Sequence, residues 1–275
     1  MRIVYDGTVL AEGQGADLRD QPIGPDAVEM AVTGDHPALT VDCPEPRRWW
    51  ESLRRPDDGT PALDRIVDAA RSRGHHPPAE RALATAQRDL QRVRVETVDT
   101  AASRRRLADA GTEVDRLRER VAAARGRLES RRELGADTAE AAAALDDATR
   151  QLSEAETERI AAEQAHDAAR RRARDARAAR ERRLRLQDRV ANRRRDARRA
   201  LATAVSERFA AAVEAVPGSA SLSLDPLGVD GDPITAALAA ARVADLRAPV
   251  VDATGRFDGD VEAAVAALDD PVVLV

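Results

Sequence analysis

The sequence predicts a mainly α-helical protein in which a long antiparallel coiled-coil helical hairpin is inserted in a small α/β head built from both chain ends. Region 78–216 has almost no helix-breaking residues and carries apolar residues at alternating steps of three and four, as a coiled-coil seam does. Regions 1–77 and 217–275 contain short apolar runs bounded by Gly, Asp and Pro, which are typical of strands and turns. Aromatic residues make up only 2% of the chain, so most of it can bury only narrow helical seams.

The region 1–77 is predicted to form the N-terminal half of the head. Asp6-Gly7 separates two short apolar runs and supplies the positive φ angles of a tight turn, which indicates a β-hairpin. Gly74 is a plausible helix stop, and Pro77-Pro78 a fresh helix start. The remaining predicted elements are two further strands, at 28–32 and 39–43, and two short helices, at 47–55 and 62–73.

The region 78–216 is predicted to double back on itself once. Gly135 suits a left-handed helix cap, and Asp137 with Glu140 resembles a capping box, so the tip of the hairpin should lie at 135–138. Facing residues should then have numbers that sum to about 272. The seam upstream of the tip has two registers with a phase change near 100–107: first Leu83, Ala86, Leu90, Val93 and Thr97, then Leu107, Ala110, Val114, Leu117, Val121, Ala124 and Leu128.

The returning helix has a seam that is mostly alanine between residues 161 and 183. Alanine allows two helices to approach closely but buries little apolar area, so this stretch should be the weakest part of the hairpin. We therefore expect the hairpin to associate with a second copy of the chain or with another coiled-coil protein.

The region 217–275 is predicted to alternate strands and helices, which favours a parallel α/β arrangement. Three strands make a poor sheet alone, so the N-terminal strands are their expected partners. Two small separate heads are the competing interpretation. The predicted strands lie at 220–224, 249–252 and 271–275, and the predicted helices at 233–245 and 260–268.

Basic residues are concentrated near the base of the predicted hairpin. All 44 basic residues are arginine, and the net charge of the chain is −5. Residues 170–199 carry 15 arginines against four acids, and residues 80–106 carry seven against four. The triplets that could neutralise the phosphates of a nucleic acid are Arg104, Arg105 and Arg106, then Arg170, Arg171 and Arg172, and finally Arg193, Arg194 and Arg195. A solvated helix face, or a dock for an acidic partner, is the favoured interpretation. No stacking aromatics accompany these arginines, and if the cytoplasm holds molar salt, as in extreme halophiles, that salt screens phosphate contacts.

The adjacent pair Trp49-Trp50 has two interpretations. Both rings are buried together only at a crowded junction, because neighbouring helical residues point about 100° apart. We favour an anchor between the head and the base of the hairpin. The alternative is an exposed aromatic platform for a partner protein or nucleic acid.

Several chemistries are excluded or disfavoured by the residues present. The chain has no lysine, which excludes a phosphate-binding Walker A loop and Schiff-base chemistry. Gly13-Gln14-Gly15 lacks the third glycine of a dinucleotide fingerprint, and the four histidines form no metal-binding motif. We therefore predict a non-enzymatic protein without catalytic residues, cofactor or metal. Asp252, at the end of a predicted parallel strand, is the best single candidate for a small-ligand site in the head.

The expected location is the cytoplasm. Cys43 is the only cysteine and cannot form an intrachain disulfide, and neither a signal peptide nor a membrane-spanning segment is evident. The absence of lysine, with one asparagine and many acids, resembles proteins of extreme halophiles, although GC-driven codon bias is an alternative explanation.

The chain resembles small uncharacterised coiled-coil proteins of haloarchaea. The resemblance rests on the MRIVYDG opening, the alanine- and arginine-rich stalk and the PVVDATG…PVVLV ending, and it implies no activity. The predicted layout is also similar to that of the chromosome-maintenance and double-strand-break-repair ATPases. Their phosphate loop, signature motif and zinc-hook cysteines have no counterpart here, and the stalk is much shorter, so the similarity does not imply ATPase activity.

Overall fold

The computed structural model describes residues 1–275 and is mainly helical. The strands are β1 (Arg2–Tyr5), β2 (Thr8–Glu12), β3 (Gly15–Asp17), β4 (Leu39–Asp42), β5 (Ala220–Leu224), β6 (Leu227–Gly231), β7 (Val250–Asp252) and β8 (Val272–Leu274). The helices are α1 (Pro25–Val32), α2 (Ala62–Ser72), α3 (Pro78–Arg92), α4 (Ala101–Glu133), α5 (Ala139–Ala215), α6 (Pro233–Val243) and α7 (Val261–Leu268). The chain divides into two compact units, Met1–Ala86 with Arg189–Val275, and Gln87–Asp188.

The first unit contains an antiparallel sheet in the order β2-β1-β4. The predicted hairpin is present: Asp6 and Gly7 turn the chain between β1 and β2 with φ angles of 46° and 80°. Strand β4 pairs with the other side of β1, from Arg2 opposite Asp42 to Tyr5 opposite Leu39. Ile3, Leu39 and Val41 point into the core, as the alternation of the strands requires.

The segment predicted as a strand at 28–32 is a helix, α1. Pro25 occupies the first turn, where the missing N–H costs nothing, and Asp26 complements the positive end of the helix. Val28, Ala31 and Val32 are buried, which is the spacing of one helical face. The predicted helix at 47–55 is also wrong, because this segment is a turn followed by the short 3-10 helix Trp50–Ser52.

A second sheet joins strands from the two ends of the chain. Its order is β3-β8-β7 and all pairs are parallel, with Ala16 opposite Val273 and Val273 opposite Val251. Gly15 begins β3 where α7 approaches most closely, and a β-carbon there would collide with Val261 and Val265.

The strand predicted at 220–224 has a partner that the sequence analysis missed. β5 and β6 form an antiparallel hairpin, with Leu222 opposite Val229, and they stand apart from the parallel sheet. Of the three C-terminal strands that were predicted to be parallel, the first, at 220–224, is therefore not part of the parallel sheet. Helix α6 follows this hairpin and is buried along its length from Thr235 to Ala241.

The core of the first unit also includes the end of α5. Leu201, Val205 and Phe209 are buried in the same cluster as Trp50 and Leu238. The large apolar residues near the end of α5 therefore pack in the core of the first unit.

The second unit contains a break that the sequence analysis missed. The sequence predicted one uninterrupted helix from residue 78 to the tip, but α3 ends at Arg92 and α4 begins at Ala101. The intervening segment contains Val93, Val95, Thr97, Val98 and Thr100, and β-branched side chains lose rotamer freedom in a helix. The gap between the two helices covers residues 93–100 and thus precedes the region 100–107 where the phase change was predicted.

Helices α4 and α5 are connected by a short turn, and side chains of the two helices contact each other. Gly135 has a φ of 66°, as a left-handed cap requires, and Asp137 accepts a hydrogen bond from the backbone N–H of Ala139 at 3.0 Å. Contacts between the helices include Arg118 with Glu156 at 3.0 Å and Arg120 with Gln151 at 3.1 Å. The buried residues of α4 are Val114, Leu117, Val121, Ala124 and Leu128, and those of α5 in this unit include Ala148, Ala162, Ala169 and Ala176. None of the helices combines the length and apolar content that spanning a membrane requires.

Candidate binding surfaces

Two of the three predicted arginine triplets lie in the second unit. Arg104 and Arg105 are exposed near the start of α4, and Arg106 forms an ion pair with Glu158 of α5 at 2.5 Å. Arg170–Arg172 are exposed on α5, four residues beyond His166, whose ring nitrogen lies 3.1 Å from the Ser103 hydroxyl. The starts of these two triplets therefore lie on neighbouring stretches of α4 and α5.

The third triplet lies in the first unit, and its charge is partly neutralised. Arg193 forms an ion pair with Asp196 at 3.3 Å, and Arg195 donates a hydrogen bond to the Asn192 side chain. Arg194 is exposed. Arg195 also lines a cleft of about 650 Å³ beside the turn between β5 and β6.

Trp50 is buried, so it does not belong to an exposed aromatic platform. Only 2% of its surface is exposed, and its indole N–H donates a 2.9 Å hydrogen bond to the carbonyl of Pro249, just before β7. The guanidinium of Arg54 lies over its ring at 5.3 Å. The platform hypothesis is therefore wrong for Trp50, because the ring and its N–H are both used within the core.

Trp49 is half-buried at the edge of a cleft of about 670 Å³ in the first unit. The guanidiniums of Arg48 and Arg71 lie over its ring at 4.9 and 5.3 Å. The residues that line the cleft are Arg47, Arg48, Trp49, Arg71, Ser72, Arg73, Gly74, His76, Arg208 and Asp245. Five guanidiniums and one carboxylate thus surround one concave surface.

Three of these arginines have partners. Arg47 forms an ion pair with Asp245 at 2.7 Å, and Arg71 forms ion pairs with Asp68 at 2.9 Å and Glu80 at 2.8 Å. Arg73 donates to the carbonyl of Val243. Arg48 and Arg208 are exposed, and neither forms an ion pair. An excess of positive charge therefore faces the cleft, which suits an anionic group.

This cleft was not predicted from the sequence, because its arginines come from distant parts of the chain. Arg47 and Arg48 precede the 3-10 helix, Arg71 and Arg73 end α2, and Arg208 lies near the end of α5. None of these five arginines belongs to the three arginine triplets that were predicted to contact phosphates. The Arg47-Arg48-Trp49-Trp50 run was the available signal, since it places two cations beside an aromatic ring.

Asp270 is a half-buried carboxyl group with a perturbed pKa. Burial, and the nearby charges of Asp269 and Asp245, raise the pKa of Asp270 to about 7, although Arg73 acts in the opposite direction. Asp245 and Arg73 also line the cleft. The charge of Asp270 therefore changes near neutral pH close to the arginine cluster.

Asp252 lies at the carboxyl end of β7, as the sequence analysis expected, but it faces the interior. Only 2% of its surface is exposed, and its carboxylate accepts a 3.2 Å hydrogen bond from the backbone N–H of Thr254. Burial raises the pKa of its carboxyl group. The described contacts make it a residue that fixes the loop after β7. No group of three or more His, Cys, Asp or Glu side chains is arranged to hold a metal ion.

Comparison with known proteins yields one family. A family model whose description is "Family of unknown function (DUF7856)" matches residues 13–272. No curated protein and no solved structure matches the chain.

Proposed function

Because the chain belongs to the family of unknown function DUF7856, which assigns it no activity, we propose a function from its own contacts. We propose a non-enzymatic interaction protein that acts through an antiparallel coiled-coil hairpin of α4 and α5, inserted in the sequence of a small α/β head. The observation that carries the proposal is the set of contacts between α4 and α5, in which residue numbers rise on one helix as they fall on the other.

The interior of the proposed hairpin supports a role in association. Val114, Leu117 and Val121 of α4 are buried, whereas the buried positions of α5 in this unit are mainly alanines at steps of seven, such as Ala162, Ala169 and Ala176. A seam of large side chains on one helix and alanines on the other buries less area than a seam of large side chains on both. The hairpin therefore gains stability from a further partner surface.

The proposed partner is a second copy of this chain. Ile160 and Leu184 are large apolar side chains of α5 with 51% and 60% of their surfaces exposed. A second hairpin would cover them with matching apolar residues. Both chain ends contribute strands to the β3-β8-β7 sheet, which supports the head as a single body that carries this hairpin. We place the protein in the cytoplasm, where the lone Cys43 stays reduced.

Sedimentation equilibrium of the full chain tests this proposal. The salt range includes molar KCl, because we infer a halophilic host from the lysine-free composition. We expect a dimer whose dissociation constant rises about tenfold or more in the double variant Ile160→Gln/Leu184→Gln. Leu134→Gln, at an exposed position beside the tip, is the matched control and should leave the dimer intact. A wild-type chain that stays monomeric throughout the micromolar range contradicts self-association.

A second candidate function is nucleic-acid binding through the arginines of the hairpin. Arg104, Arg105 and Arg170–Arg172 are exposed and form no ion pair, so they are free to neutralise phosphates. We expect duplex DNA to be retained at low salt and released as salt rises. The slope of log affinity against log salt is negative. Replacing Arg170–Arg172 with glutamine should reduce the magnitude of this slope by about 2–3. Replacing the partly paired Arg193–Arg195 should reduce it less. Absence of retention at low salt would dismiss this function.

A further inference from the structure

The cleft beside Trp49 is held in shape by the core beneath it. The backbone N–H of Arg47 donates to the carbonyl of Leu246 at 3.1 Å, and Trp50 is fixed by its hydrogen bond to Pro249. Gly74 ends the α2 segment with a φ of 78°, which lets the chain turn away after Arg73. Arg208 is the residue before Phe209, which is buried in the core. The arginines therefore extend from fixed backbone positions.

Two guanidiniums of the cleft are available to bind an anionic ligand. Arg47 and Arg71 share their charge with Asp245, Asp68 and Glu80. Arg48 and Arg208 have no carboxylate partner, and both line the same cleft as the half-buried indole. Planar guanidinium groups match the oxygens of a phosphate in pairs, and they also stack on aromatic rings.

We propose that this cleft binds a nucleotide unit, with its phosphate groups held by Arg48 and Arg208 and its base stacked on the indole of Trp49. The cleft volume of about 670 Å³ lies within the range of small-molecule sites. Stacking on an aromatic ring accepts every base, because each base presents a flat π face. Arg48, which now lies over the Trp49 ring, is close enough to move from the ring to a phosphate.

The observations favour a nucleotide over an acidic peptide. The guanidiniums of Arg48 and Arg71 both lie over the Trp49 ring, so a base would stack on the face that Arg48 leaves. A peptide carboxylate would satisfy the arginines but would leave that face without a flat partner. The nucleotide unit has two possible sources, a free nucleotide and a single-stranded nucleic acid, and the two share phosphate and base chemistry. This site shares no residue with the proposed association through Ile160 and Leu184, so either proposal can fail without the other.

The test is a titration of the full-length protein at low salt, followed by tryptophan fluorescence and by equilibrium dialysis. The probes are ATP without magnesium, inorganic tripolyphosphate, adenosine, a short oligothymidylate and a short poly-aspartate peptide. Trp50 is buried, so its emission should stay constant and quenching should report on Trp49. We expect ATP to bind about tenfold more tightly than tripolyphosphate, and adenosine and poly-aspartate to bind more weakly than either.

Variants assign the binding to the cleft. Arg48→Gln and Arg208→Gln should each weaken ATP binding about tenfold. Trp49→Leu should remove the advantage of ATP over tripolyphosphate in the dialysis experiment while tripolyphosphate still binds. Arg2→Gln, at an exposed arginine outside the cleft, removes the same charge and should leave binding unchanged. Circular dichroism verifies that each variant is folded.

The outcomes separate the two sources and define failure. Tighter binding of oligothymidylate than of ATP identifies single-stranded nucleic acid as the source, and the opposite order identifies a free nucleotide. The proposal is overturned if neither ATP nor oligothymidylate binds, if tripolyphosphate or poly-aspartate binds as tightly as ATP, or if Arg48→Gln and Arg208→Gln have no more effect than Arg2→Gln.

Discussion

At the scale of single residues, the two tryptophans show what a sequence can and cannot assign. Trp49 and Trp50 are neighbours, yet one lines a cleft and the other is buried with its indole N–H bonded to Pro249. The sequence indicated that the pair belongs to a crowded junction. It could not indicate which ring is buried, because the hydrogen-bond partner of Trp50 lies 199 residues away in the chain.

Asp270 leads to a prediction about stability and pH. Its pKa is raised to about 7 in the fold, by burial and by Asp269 and Asp245 against the opposing effect of Arg73, whereas the unfolded chain releases this proton near pH 4. The folded state therefore binds more protons between these values, and stability falls as pH rises towards 7. We expect Asp270→Asn to be more stable than the wild type by about 1–2 kcal/mol at pH 8, after allowance for solvent screening of a half-buried group.

Urea denaturation at pH 5 and at pH 8 measures this difference. The advantage of Asp270→Asn should shrink at pH 5, where the wild-type carboxyl is protonated in the fold. The same substitution at Asp230, an exposed residue of β6 that forms no ion pair, provides a comparison without a buried charge. An advantage that does not change with pH would contradict the assignment.

At the scale of elements, the sequence predicted α2, α6 and α7 to within two residues, but it assigned α1 to a strand and missed the break between α3 and α4. Of the apolar residues predicted to share one face of α4, Val114, Leu117, Val121, Ala124 and Leu128 are buried, whereas Leu107 and Ala110 are only half-buried. The break before Ala101 was missed because Leu90, Val93 and Thr97 fit a helical spacing, although the β-branched residues around them favour extended backbone. Over eight residues, as in α1, the same apolar run fits either a strand or a helix, and tertiary packing decides.

The contact between β3 and α7 gives a test at this scale. A β-carbon on Gly15 would collide with Val261 and Val265, so Gly15→Ala should lower the free energy of unfolding by about 1–3 kcal/mol. Gly126, in the middle of α4, has nothing within 4 Å of such a β-carbon, so Gly126→Ala should stabilise by about 0.5–1 kcal/mol. Chemical denaturation of both variants checks the pair. Equal effects would show that α7 does not pack on β3 as described.

At the scale of the whole molecule, the sequence indicated which strands needed partners but not where binding groups converge. The C-terminal valine runs are too few for a sheet, and β8 pairs with β3 from the other end of the chain. The cleft around Trp49 combines residues from the segment before the 3-10 helix, the end of α2 and α5. Such a convergence depends on packing between elements, which no local pattern in the sequence encodes.

The central claim is that the chain reverses at Gly135 and that α5 returns along α4. Arg118 and Glu156 form a 3.0 Å ion pair, so spin labels at these two positions test this claim. The labels are attached to cysteines introduced at 118 and 156 in a chain that carries Cys43→Ser, and their distance is measured by pulsed electron paramagnetic resonance. The account predicts a label distance of about 10–20 Å, as for side chains on two packed helices. A distance near the ~57 Å that 38 residues span in one continuous helix would contradict it.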